Sequence, residues 1–413
     1  MNIKSETVFG FILKPALQIV EDCGKTLGND SEKYKLSFVP FTLNMMYGII
    51  MGIPSIAQLV TDIKTSPALK ALNAVIASKS MYSEAFSRYG TELYRNIFVA
   101  LLKNLQFQHI PDLEALGKIF LVDGSHFPAI QSMHWAKYKH GFNSVKMHLA
   151  FELNRMIPVC FASGEGNGSE RGFLTDIIEN GITYVCDRGY VAFSVFHKIN
   201  DAGAFFIIRG TSNLLYDINT YLTVSIPSTF LGFFTEIKDM SVTFKNDKTD
   251  ILYRIVSFKV DMETYILITN RFDLTTYQVI MLYAYRWQVE LVFRFLKRTL
   301  RGVHLYSQDP KGVEVQFYLF MISYLLLLFF KQDCIINSDG SAEKEEIAAP
   351  ENRRHPTSDQ PEPVGKNGRR YVRGLVSFLG EKLQRLWKID IHWLISVRNL
   401  LMEPVDSSMV MLQ

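Results

Sequence analysis

Three short apolar runs constrain this chain more than anything else in it: Lys118–Asp123 (KIFLVD), Ile182–Asp187 (ITYVCD) and Ala204–Arg209 (AFFIIR). Runs this short, and apolar on both alternations, suit strands buried on both faces. Between the first two lie Val145–Leu153 and Met156–Ala162, which read as the strands of a hairpin turning at Asn154-Arg155. Glu170–Asn180 has helical periodicity, with Gly181 placed to stop it. The predicted order is strand, strand, strand, helix, strand, helix, strand. Buried strands alternating with helices imply an α/β fold, a mixed sheet covered by helices.

The rest of the chain is arranged around that core. At 413 residues the length favours two or three domains, and 48% hydrophobic residues allow a large packed interior. Residues 1–115 read as mostly helical. Within them Lys79, Arg88, Arg95 and Lys103 alternate with Tyr82, Phe86, Tyr89 and Tyr94. That pattern suits phosphate contacts with base stacking, and equally the solvated face of a helix bundle. The core is predicted in two parts, 116–211 and 271–332. Between them 212–270 turns to strands (YLTVSI, GFFTEI, SVTF, LYRIVSF, TYILITN) and predicts a β-rich insertion separate from the first fold.

Thr275–Leu300 predicts one amphipathic helix. Phe317–Phe330 (FYLFMISYLLLLFF) carries no charge, but is shorter than the roughly 20 residues of a membrane span, so a buried core helix is expected. The Pro-, Ser- and Glu-rich stretch 333–370 predicts a flexible linker. A helical tail, 371–413, follows through Leu375, Leu379, Leu383, Leu386 and Leu394.

Composition excludes little. A net charge of +3 neither demands nor forbids a nucleic-acid partner, since a basic stripe can hide in a near-neutral total. Cys23, Cys160, Cys186 and Cys334 show neither disulfide-framework nor zinc spacing, so reduced thiols are expected. Met1–Lys14 lacks the pattern of a secretory signal, and a cytoplasmic location without a membrane span is the expectation.

Chemistry concentrates in a few residues. Asp123 and Asp187 each end an apolar strand run, where side chains of neighbouring strands converge. Two carboxylates facing one site repel unless a divalent cation lies between them. Tyr283, Arg286, Glu290 and Lys297 are offset by 0, 3, 7 and 14 residues, which places them within about 60° of one another on a helix. Packing has no use for such a stripe; the alternative is an exposed helix face with an Arg286–Glu290 pair at i,i+4, worth about a few tenths of a kcal/mol. From Arg286 to Arg301 five basic residues, including Arg294 and Arg298, accompany one acid, a local net of 5 − 1 = +4. A carboxylate flanked by such cations suits phosphoryl transfer on DNA. His126 and His148 read as structural, because hard cations prefer oxygen. Trp287, Phe230, Phe233 and Phe234 could stack on a flipped base, with core packing the alternative.

The spacing Tyr283-x2-Arg286-x3-Glu290-x6-Lys297 resembles the YREK motif of the insertion-sequence-4 family of bacterial DDE transposases. Asp123-Gly124-Ser125 is similar to the motif holding that family's first catalytic Asp, and Asp187-Arg188-Gly189-Tyr190 to the one holding its second. The acids follow in the family's order, with 187 − 123 = 64 and 290 − 187 = 103 residues between them. The resemblance spans about residues 115 to 330. It implies a ribonuclease H-like core and two Mg²⁺ or Mn²⁺ ions held by Asp123, Asp187 and Glu290. Tyr283, Arg286 and Lys297 are implied to grip DNA phosphates, in an enzyme that cuts transposon ends and joins them to target DNA, as a homodimer on DNA. A catalytically inactive, DNA-binding derivative is the alternative. The Gly-rich stretch Gly164–Gly172 departs from the pattern.

Overall fold

The computed structural model describes residues 7–28, 33–66, 69, 74–260, 262–342 and 388–403. Nine strands form one mixed sheet, in the order β3-β2-β1-β4-β5-β9-β8-β7-β6. β1 (Ile119–Ala129), β2 (Asn143–Glu152) and β3 (Ile157–Glu165) form an antiparallel meander. β4 (Thr183–Cys186) and β5 (Phe205–Arg209) lie parallel on the other side of β1. The crossover helices are α6 (Glu170–Asp176) and α7 (Phe193–Asp201), so the core is the expected ribonuclease H-like α/β arrangement.

The period-two alternation of the strands sorts their side chains into two cores. Leu121, Val185 and Ile207 join the core beneath the long helices, whereas Phe120, Val122, Tyr184, Cys186, Phe206 and Ile208 join the one beneath α6 and α7. Apolar residues on both alternations are what burial on both faces demands.

The strands of 212–270 do not form the separate unit expected. β9 (Glu263–Thr269) pairs antiparallel with β5, and β8 (Tyr253–Val260), β7 (Thr235–Phe244) and β6 (Tyr216–Tyr221) follow outward. Both cores continue through them, with Leu267 and Val256 on one face and Ile268 and Ile255 on the other. The physical reason is that β5 would otherwise present an unpaired edge. Local sequence reveals a strand but not which edge it joins.

A buried ion pair fixes this extension to the helix that follows. The Arg254 guanidinium donates from Nε and Nη2 to the Asp239 carboxylate at 2.8 and 2.6 Å. Its Nη1 reaches the carbonyls of Arg271 and Leu274, while the Thr276 hydroxyl donates to Asp239 at 2.7 Å. Thr276 opens α8 (Thr276–Tyr285), whose N-cap Thr275 forms a capping box with Gln278.

The region 7–104 is helical, as read: α1 (Val8–Lys25), α2 (Phe38–Met51), α3 (Ile56–Thr65), α4 (Lys79–Arg88) and α5 (Thr91–Asn104). Here the structure decides between the two readings of its aromatics. Tyr82, Phe86, Tyr89 and Tyr94 are buried, with Phe41 edge-on to Phe86 at 5.1 Å and Phe38 to Tyr89 at 5.3 Å. They are packing residues, unavailable to bases.

The predicted single helix over Thr275–Leu300 is broken. α8 stops at Tyr285, the Arg286 amide donates to the Tyr283 carbonyl in a tight three-residue turn, and α9 (Trp287–Arg294) resumes. A π turn, Phe295–Thr299, ends it.

The apolar run lies within α10 (Pro310–Ala342). By length and composition that helix could cross a membrane, but 89% of its apolar window is buried against the protein. It continues past residue 333, so 333–342 are helix where a linker was expected; 343–370 lie outside the described residues, as do Leu375, Leu379, Leu383 and Leu386 of the tail. α11 (Ile391–Leu400) carries Leu394 into the core and sends Arg398 to the Ile50 and Thr299 carbonyls at 2.6 and 2.7 Å. Thr299 closes the π turn that carries Lys297, so the tail ties α2 to that turn.

Candidate active site

Asp123 does not end its strand as expected. β1 runs on to Ala129, but its parallel neighbour β4 stops at Cys186, opposite Val122. Asp123 is therefore the first residue of β1 beyond β4, and Asp187 is the first residue after β4 itself. Both carboxylates reach the same edge. Each accepts a backbone N–H from the next residue at 2.8 Å, from Gly124 and Arg188 respectively.

The stripe on α8 and α9 meets them residue by residue. The Tyr283 hydroxyl donates to Asp187 Oδ1 at 3.3 Å. Arg286 donates from Nη1 to Asp123 Oδ2 at 3.4 Å and from Nη2 to Glu290 Oε1 at 2.7 Å. Lys297 Nζ donates to the Ser125 hydroxyl at 2.6 Å. Arg294 and Arg298 are exposed and bond to none of the three acids, with Arg294 over the Trp287 ring at 5.8 Å.

Burial governs the electrostatics. It pushes the Asp123 carboxyl up to about 6, against the pull of Arg286 and the Gly124 N–H and with the help of Glu290 and Asp187. For Arg286 burial opposes the charge, yet Tyr283 and the carboxylates of Asp123, Asp187 and Glu290 hold its proton more tightly than usual. Burial lowers Lys297, with Asp123 opposing.

Among the described residues no three His, Cys, Asp or Glu side chains are gathered closely enough to hold a metal as they stand. The cation between Asp123 and Glu290 is Arg286. The donor set still fits a hard divalent ion, because it is all carboxylate oxygen. The repulsion of Glu290 and Asp187 felt by Asp123 also leaves negative charge for a cation to take up.

A cleft of about 590 Å³ opens beside the acids, lined by Asp187, Tyr283, Arg286, Trp287 and Glu290. Arg188 of the second motif also lines it, with Arg209, Glu263 and Tyr265, the last three of which sequence had not singled out for the site. Arg209 bonds to Glu263 and lies over the Tyr265 ring at 4.4 Å. Arg209 ends the AFFIIR run as Asp187 ends ITYVCD, a signal that was available. Glu263 and Tyr265 gave none, since they arrive through the β5–β9 pairing.

Glu170 lies against the glycine of the second motif. It bonds to Lys146 at 2.8 Å, and a Cβ on Gly189 would lie 2.2 Å from its Oε2. Of the aromatics, Phe234 is buried against Phe258 and Phe230 packs on Tyr277 at 4.9 Å, whereas Phe233 is 39% exposed.

The histidines stand apart from the acids. His126 Nδ1 is 3.2 Å from the Ser144 hydroxyl, and His148 is buried against Phe173 at 5.6 Å. Burial drives His148 down to about 4 from 6.5. A depressed folded value means stability present above pH 6.5 and lost as pH falls toward 4, because only the unfolded chain takes the proton. His148→Gln is expected to flatten this acid limb by up to about 1.4 kcal/mol per pH unit. Denaturant midpoints between pH 7 and pH 5 check it; equal slopes contradict it.

The family model described as "Transposase DDE domain" matches residues 114–326, just over half of the chain. The chain belongs to the transposase DDE domain family. Among curated proteins it is 29% identical over 219 residues to one named as a transposase, y4zB of Sinorhizobium fredii (strain NBRC 101917 / NGR234). That match covers 52% of this chain and 61% of the relative, so it spans less than two thirds of the relative's length. A Synechocystis sp. (strain ATCC 27184 / PCC 6803 / Kazusa) protein, named as a transposase for insertion sequence element IS4SA, is 22% identical over 60% of this chain and 70% of its own. A solved piggyBac transposase synaptic complex with hairpin DNA aligns at 10% identity and TM-score 0.39, over 87% of this chain and 75% of that one. That likeness is too distant to carry any statement about this chain.

Proposed function

We propose that the chain is a DNA transposase that cuts the ends of its element and transfers them to target DNA, with Asp123, Asp187 and Glu290 as the metal-holding catalytic acids. One observation supports this above the others: all four members of the Tyr283–Lys297 stripe turn to the two strand-edge acid motifs, Glu290 through its bond to Arg286. A chance stripe on a solvated helix face has no reason to do so.

The three carboxylates are the residues that hold Mg²⁺ or Mn²⁺. When bound, two such ions activate the attacking water or 3′-hydroxyl and stabilise the leaving oxygen. Tyr283, Arg286 and Lys297 bind phosphates of the strand being cut. Arg294 and Arg298, exposed on the same helix and π turn, extend the basic track away from the reacting centre. The N-terminal region 1–115 serves as further DNA-binding surface through cations exposed on α5, such as Arg95 and Lys103. Joining two ends calls for two copies on DNA.

Labelled duplex carrying the DNA that flanks the gene is expected to be nicked with Mg²⁺ and left whole with EDTA. Binding without cutting would favour the inactive derivative. Lys297→Ala is expected to weaken binding and lower the slope of log affinity against log salt by about one unit, one phosphate contact fewer. Anisotropy over a salt series measures it, and an unchanged slope removes Lys297 from the phosphate contacts.

A further inference from the structure

Arg286 stands where a cation is needed, and it is poorly satisfied there. Its guanidinium bridges Asp123 at 3.4 Å and Glu290 at 2.7 Å, with the side chain only 13% exposed. The first bond is long for an ion pair. Its Nε is buried with no hydrogen-bond partner, an unfavourable state for a polar group. The turn that places it is the break between α8 and α9, where the helix tightens at Arg286 itself. Two of the three acids are thus occupied by a side chain that fits them imperfectly.

We infer that Arg286 is a built-in counter-ion that competes with divalent metal for Asp123 and Glu290, and that it moves to a DNA phosphate when metal enters. The inference rests on the proposed metal-holding role of these acids. Metal must find the fraction of molecules in which the bridge is open, so the bridge weakens apparent metal affinity by that fraction. A phosphate that captures the released guanidinium opens the bridge in turn. Metal and DNA then strengthen each other's binding by the same factor, as linkage requires. Without DNA the closed bridge keeps Asp123 and Glu290 paired with Arg286 and the metal site weak.

Mn²⁺ binding, read from the paramagnetic resonance of the free ion in the absence of DNA, tests this. Arg286→Gln is expected to bind Mn²⁺ about tenfold more tightly than the unaltered chain, because the competing charge is gone. Equal or weaker binding by Arg286→Gln overturns the inference while leaving the metal-holding role intact. Glu290→Gln is the control: if it does not change Mn²⁺ binding by either protein, that role fails and the inference with it. Circular dichroism checks folding. Should Arg286→Gln not fold, Arg286→Lys serves, since one ammonium reaches fewer of the oxygens; a smaller gain in Mn²⁺ affinity is expected, and no gain overturns the inference. The unaltered chain gives a further reading: Mn²⁺ is expected to tighten its binding to a fluorescent flanking duplex, and no tightening contradicts the exchange.

Discussion

Glu290→Ala is expected to abolish DNA cleavage, by at least about 10³-fold, the order reached when an essential catalytic group is removed, while duplex binding stays within about threefold, since no phosphate contact is lost. The separation follows from what Glu290 touches. Its carboxylate faces the cleft and, among the described residues, bonds to Arg286 at the turn before α9, an i,i+4 pair worth only about 0.2–0.5 kcal/mol to the helix. Its loss removes negative charge from the side that meets DNA, which does not weaken phosphate binding. Filter binding and nicking on the same duplex measure the two quantities. Parallel loss of both would mean that Glu290 holds the fold or the DNA, and the metal assignment would fall.

Asp239→Ala is expected to have the largest effect on stability, about 3–5 kcal/mol. Asp239 is fully buried with Arg254, and its removal leaves an uncompensated guanidinium in the sheet. The Thr276 hydroxyl loses its acceptor as well, so the start of α8 loosens together with β7 and β8. Exposed Glu236, paired with Lys259, is the comparison: Glu236→Ala is expected to cost under about 1 kcal/mol. Urea midpoints give both values. Equal effects would show that the buried network contributes nothing beyond a surface pair.

Much of the site was legible because polar groups stand out where packing has no use for them. Asp123 and Asp187 close apolar runs, and the stripe through Tyr283, Arg286, Glu290 and Lys297 interrupts an apolar helix. What failed was what depends on distant partners. KIFLVD does not say that β1 continues past Asp123, because that depends on its pairing with β2 as far as Ala129–Asn143. Periodicity cannot show the break at Arg286, since a residue in a tight turn still keeps nearly helical dihedrals, here φ −50° and ψ −29°. The strands after Ser212 were visible as strands, but their union with β5, and so the arrival of Glu263 and Tyr265 in the cleft, was not. Arg398 reaches Ile50 across a sequence separation of 348, and no local pattern announces that. In the Gly-rich stretch a Cβ on Gly166 would lie 2.6 Å from the Tyr138 ring, a contact that no local pattern announces.

The most direct test of the central claim is cleavage of end-labelled flanking duplex by the unaltered chain, with Mg²⁺ and with EDTA, beside Asp123→Ala, Asp187→Ala and Glu290→Ala. The account predicts Mg²⁺-dependent nicking at one defined position, absent with EDTA and absent from all three variants. Cleavage that survives the loss of any one acid, or that needs no metal, would contradict it.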